Sequence, residues 1–149
     1  MQEIQQKERK AWLSLMATSP DGALTKLFAQ AAETPAFDWL RPPEIGSVMV
    51  RGRTGATGAP FNLGEMTVTR CSLKLSTGEV GHGYVQGRRK EDAESAALVD
   101  ALMQTEAATE LQAAVLSPLS QQVADTKSAR ARKAASTKVD FFTMARGED

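Results

Sequence analysis

The sequence predicts an α+β domain in which a small antiparallel β-sheet packs against N- and C-terminal helices. Three observations carry this. Apolar residues recur at helical spacing up to about residue 40 and again over residues 90–137. Residues 45–88 instead alternate with a period of two and are punctuated by glycine. With 149 residues, 42% of them hydrophobic, the chain matches one ordinary domain spanning 1–149 rather than a multidomain enzyme.

The first helix rests on Ile4, Trp12, Leu15 and Met16, with Ala11 between them, opposite Gln5, Gln6, Lys7 and Lys10. Ser19-Pro20-Asp21 reads as the start of a second helix, with Ser19 as N-cap and Pro20 at the first helical position, where its missing N–H costs nothing. Leu24, Leu27, Phe28 and Ala31 continue it. Thr34-Pro35 ends it, because the residue before proline is pushed out of the α region. Arg41-Pro42-Pro43 marks a stiff connector between the helical and sheet halves.

Val48 and Val50 place a first strand over residues 45–53. Residues 52–64 are glycine-rich and too poor in apolar side chains for an element, so they read as a loop. A second strand over 66–75 changes phase: Met66 and Val68 share one parity, and Cys71, Leu73 and Leu75 the other. A bulge near Thr69-Arg70 reconciles the two. Ser76-Thr77-Gly78-Glu79 reads as a hairpin turn before a third strand over 80–86. There Gly81 and Gly83 share a face and mark a close approach by a helix or backbone. From Lys90 onward, Leu98, Ala101, Leu102 and Thr105 give a helical face, and Glu91, Asp92 and Glu94 favour its positive end. Ser117-Pro118 breaks the pattern; residues 119–137 form a weakly amphipathic, alanine-rich helix, and 138–149 a docking tail.

Composition narrows the chemistry. Aromatic residues make up 5%, so the core must be mostly Ala, Leu, Val and Met. No apolar run approaches the roughly 20 residues that a membrane helix needs. The start, MQEIQQK, lacks the apolar stretch of a secretory signal, and the expected location is cytoplasmic. One cysteine and one histidine give neither a disulfide nor a Cys/His zinc site. Eighteen basic and eighteen acidic residues cancel, so no global field draws in nucleic acid or an anionic membrane.

Few residues stand out as sites. In the loop, Arg51 and Arg53 flank a run containing Gly55 and Gly58, where free backbone N–H groups and guanidinium groups suit an anion. The bland reading is a solvated connection, since the spacing matches no P-loop. Arg88 follows Gly87 at the strand-to-helix junction, a place from which polar groups reach a ligand; alternatively, the glycine merely turns the chain. His82 has no evident partner to make it a general base, and Cys71 between strand apolar residues reads as a small buried hydrophobe. Glu91, Asp92 and Glu94 need no catalytic role, because a helix N-terminus explains them. Lys127, Arg130, Arg132, Lys133 and Lys138 have no interleaved aromatics for base stacking and read as a solvated face or a patch for an acidic protein surface. Phe141 and Phe142, beside Met144, either cap the chain's own core or anchor a partner interface; the interface is the expectation.

Several blocks together resemble one family: RGRTGATGAPFNLGEMTVTRC (51–71), GYVQGR (83–88), ALVDALMQ (97–104), VDFFTMARG (139–147) and WLSLMA (12–17). Their order and spacing are similar to those of the G subunit of the bacterial carbon–phosphorus lyase system, nearly end to end. The resemblance implies an accessory subunit of a cytoplasmic core complex with sister H, I and J subunits, helped by an ATP-binding-cassette-like L subunit. That machinery replaces the adenine of ATP with a phosphonate, giving a ribose 1-phosphonate 5-triphosphate. The displacement is associated with the nucleosidase-like I subunit. The J subunit then breaks the carbon–phosphorus bond with an iron–sulfur cluster and S-adenosylmethionine. No catalytic residue and no cofactor of this chain are implied. The contrasting possibility is a stand-alone enzyme that binds a small anion or nucleotide through the glycine–arginine loop.

Overall fold

A computed structural model describes residues 2–53 and 60–147. Its elements run α1 (Gln2–Ala17), α2 (Ala23–Ala31), β1 (Phe37–Arg53), β2 (Pro60–Leu75), β3 (Val80–Gln86), α3 (Lys90–Leu102), α4 (Ala108–Leu111), a π turn (Gln112–Leu116) and α5 (Ser117–Gly147). The strands form one antiparallel sheet in the order β1-β2-β3, with helices before and after it, as the α+β reading expects.

The core lies between β2 and β3 and the helices. On β2, Cys71, Leu73 and Leu75 point into it, and Val85 joins them from β3. Helix α3 lies over β3 and the adjoining part of β2, and α1 and α2 cover α3 in turn, so α3 is buried on nearly every side from Asp92 to Ala101. Gly81 and Gly83 permit this stacking. A Cβ on Gly83 would stand 2.0 Å from the Ala93 carbonyl oxygen, and one on Gly81 would stand 2.0 Å from that of Ala97. Ala93, Ala97 and Ala101 recur every four residues, so α3 offers its smallest side chains to the two glycines.

The structure moves several boundaries. β1 begins at Phe37, not near 45, and runs through Pro42-Pro43. It is an edge strand that bulges at Leu40 and at the proline pair, so the missing N–H groups fall where the ladder is already irregular. β2 begins at Pro60, so residues 60–64 belong to a strand paired with β1 and not to the loop. The register through Thr69-Arg70 is continuous on both sides; the bulge in β2 falls at Leu63 instead. Alternation therefore sends Val68 to the opposite face from Cys71, where it is buried apart from the main core. Ser19 does not cap α2: its hydroxyl donates to the Met16 carbonyl and closes α1. Ser117-Pro118 does not interrupt the last helix. The π turn before it leaves Pro118 in the first turn of α5, where proline is tolerated. Residues 138–147 continue α5 and form no separate extended tail.

Candidate functional site

Residues 86–89 between β3 and α3 form a surface turn held by hydrogen bonds on both sides. Gly87 has φ +94°, a left-handed conformation that any side chain would strain. Its N–H donates to the Thr67 carbonyl at 2.8 Å. Thr69 is completely buried; its hydroxyl donates to the Gly87 carbonyl at 2.7 Å and accepts the Arg89 N–H at 2.9 Å. The Arg89 side chain is nearly buried, donating to the Gln86 and Pro20 carbonyls and to Asp92. Both neighbours of Arg88 are thus pinned, while Arg88 itself is exposed.

This turn is one wall of a groove of about 730 Å³. The α1–α2 connection supplies a second wall through Thr18, Ser19, Pro20 and Asp21. The third is α5, through Val123, Thr126, Lys127 and Arg130, whose spacing of three, four and seven defines one helical face. Four cationic side chains line the groove against the single carboxylate of Asp21. Arg89 is occupied internally by Asp92. Among the described residues, Arg88, Lys127 and Arg130 make no ion pair.

Two buried carboxylates of α3 tie the scaffold together. Asp92 accepts the Gly22 N–H at 2.8 Å, the Thr25 N–H at 3.1 Å and the Thr25 hydroxyl at 2.6 Å. It thereby caps the start of α2 from another helix, a tertiary role beyond the dipole effect that its position suggests. Burial alone would raise its pKa, but the bonds from Thr25 and Gly22 and the Arg89 charge outweigh that, and the carboxyl is held below its ordinary value. Asp100, also fully buried, accepts both Nε and Nη2 of Arg9, Nε1 of Trp12 and the His82 backbone N–H. It ties α1 to α3 and β3.

The sequence candidates fall in different places. Arg88 lines the groove; Arg51 is exposed on β1 and does not. Arg53 ends β1 and its side chain lies outside the described residues, as do Gly55 and Gly58 altogether. The side chains of Phe141, Phe142 and Met144 also lie outside them. His82 is exposed, with its Nδ1 2.9 Å from the Ser72 hydroxyl, a pairing the sequence did not reveal. Asp100 bonds the His82 backbone and not its ring, so no Ser-His-Asp relay is assembled there. Cys71 is buried, with Sγ donating to the Ala93 carbonyl, and burial pushes its pKa up to about 11. Lys127 and Arg130, read from sequence as part of a solvated face, are the groove residues that went unrecognised; their i, i+3 spacing is the only local signal. A second surface is apolar: Trp39, Leu40, Ile45 and Met49 of edge strand β1 are exposed.

Two comparisons with known proteins match the chain nearly end to end. The family model described as phosphonate metabolism protein PhnG matches residues 7–147. The alpha-D-ribose 1-methylphosphonate 5-triphosphate synthase subunit PhnG of Rhizobium meliloti (strain 1021) is 44% identical over 146 residues, which cover 95% of this chain and 91% of that protein. With both matches running nearly end to end, the chain belongs to the PhnG family of phosphonate metabolism proteins.

Proposed function

We propose that this chain is an accessory subunit of an alpha-D-ribose 1-methylphosphonate 5-triphosphate synthase in phosphonate catabolism. The observation that carries the reading is its 44% identity, over 95% of this chain, to a subunit of that name. In this reading it assembles in the cytoplasm with H, I and J sister subunits and serves the L subunit functionally. The complex transfers a phosphonate to the ribose of ATP with release of adenine. The iron–sulfur cluster and S-adenosylmethionine chemistry belong to another subunit. The role of this chain is to shape or stabilise the catalytic partners. We assign the contact to the exposed apolar side chains of β1 and to Phe141, Phe142 and Met144 near the C-terminus. Edge strands with exposed apolar residues readily pair with another chain, which supports the first assignment.

The test is co-expression with affinity-tagged sister subunits, followed by adenine release from ATP and methylphosphonate. The expected result is that this chain co-purifies and that omitting it abolishes assembly or turnover. Full activity without it, or turnover of ATP by the purified chain alone, would refute the accessory role.

A further inference from the structure

We propose that the groove between the β3–α3 turn, the α1–α2 connection and α5 is a binding site for a phosphoryl or phosphonyl oxyanion, held by Arg88, Lys127 and Arg130. The argument starts from the turn. An exposed arginine ordinarily loses considerable rotamer and backbone freedom when it grips a ligand. At Arg88 the backbone part is already fixed, because Thr69 bonds the carbonyl before it and the N–H after it. A buried threonine used wholly to pin a surface turn signals that the turn's geometry matters.

The opposite wall is as specific. Residues 123, 126, 127 and 130 form one face of α5, so Lys127 and Arg130 project on the same side, one turn apart, toward the groove they line. Neither finds a carboxylate among the described residues. Three cations are therefore gathered from two elements distant in sequence, with only Asp21 opposing them. In a chain of zero net charge such a concentration is local, and no general basicity accounts for it.

Guanidinium groups match the oxygens of a tetrahedral oxyanion with paired N–H donors, and an ammonium adds a compact charge. The lining holds no aromatic side chain, so nothing there stacks on a nucleobase. The ligand is therefore recognised through its phosphate or phosphonate end. The groove's volume also admits a longer polyphosphate chain. This site is independent of the β1 surface and of the Arg51–Arg53 loop.

The experiment titrates the full-length chain with inorganic phosphate, methylphosphonate and tripolyphosphate by calorimetry at low ionic strength, where exposed charges are least screened. Three variants are compared: Arg88→Ala, Arg130→Ala and, outside the groove, Arg132→Ala. Thermal melts check that each folds. Saturable binding of at least one probe is expected. It should weaken about tenfold in Arg88→Ala and in Arg130→Ala, and stay unchanged in Arg132→Ala. A marked preference for tripolyphosphate would identify a polyphosphate chain as the ligand, and equal binding of the three a single oxyanion. No saturable binding, or equal losses in all three variants, would overturn the proposal. It would equally fail if Arg88→Ala left every probe's affinity intact and instead released a sister subunit, because the groove would then hold an acidic protein segment.

Discussion

Cys71 and Gly83 face each other across β2 and β3, and each explains the other. With no side chain on Gly83, the Ala93 carbonyl comes close enough to accept from the Cys71 thiol at 3.2 Å, and burial of the sulfur pushes its pKa up to about 11. Restoring a methyl group tests how tightly this is packed. Gly83→Ala places Cβ 2.0 Å from the Ala93 oxygen and 2.9 Å from the Cys71 sulfur, neither of which can retreat without moving α3. A loss of roughly 3 kcal/mol is expected, read from denaturant unfolding. Gly46→Ala, where nothing lies within 4 Å, should change stability by no more than about 0.5 kcal/mol. Equal effects would mean that the sheet and not the helix contact sets the requirement. The Gly81–Gly83 approach is legible in sequence because strand alternation puts both on one face. Asp92 and Asp100 are not. Their partners at Gly22, Thr25, Arg9 and Trp12 lie 67 to 91 residues away, beyond the reach of any local pattern.

At the scale of elements, the strands most governed by alternation are the most predictable. β3 spans Val80–Gln86 as its sequence suggests, with inward and outward positions alternating along it. β1 escapes the same reading because prolines at 42 and 43 look like breakers, yet a bulged edge strand does not need their N–H groups. Helix α2 shows the opposite case: it has a good local start signal in Ser19-Pro20, and the cap comes from elsewhere. Gly22 precedes it at φ +78° without a side-chain bond of its own, and Asp92 supplies the acceptor. Removing that carboxylate leaves the α2 N–H groups without their acceptor and the nearly buried Arg89 charge without its counter-ion, so Asp92→Ala should destabilise by about 3 kcal/mol. The pH dependence has a definite sign. Because the folded pKa lies below the ordinary aspartate value of 3.8, the charge contributes fully above that pH and its contribution is lost as pH falls through the lower folded value. The gap in thermal midpoint between wild type and Asp92→Asn should therefore be constant near neutrality and shrink below pH 3.8. A gap that widens on acidification would show that the carboxylate is not held by these partners.

Across the whole molecule, the α+β class is readable from periodicity, but the surfaces are not, because they depend on which helix covers which strand. Groove residues from the α1–α2 connection, the β3–α3 turn and α5 meet only once the chain has folded. The uncovered part of the sheet has the same origin. α3 lies over β3 and hardly touches β1, so the side of β1 that faces the helices is left partly bare. The register from Glu44 to Val50 is continuous, which puts Ile45 and Met49 on that side, opposite Thr69 and Glu65 of β2. Ile45 is 41% exposed and Met49 50%, on a strand whose outer edge pairs with no other strand among the described residues. Isolated exposed apolar residues are ordinary, but several along a 17-residue edge strand mark a surface that another chain covers. Ile45→Lys with Met49→Lys separates that role from folding. Both side chains lie outside the main core cluster, so the variant should unfold within about 0.5 kcal/mol of wild type. If β1 meets a sister subunit, burying two ammonium groups there should weaken co-purification by about 2 kcal/mol or more. Truncation after Thr137 in a parallel sample isolates the contribution of the segment that carries Phe141 and Phe142. Undiminished assembly of the lysine variant alongside loss in the truncated one would move the contact from the sheet edge to the C-terminal segment.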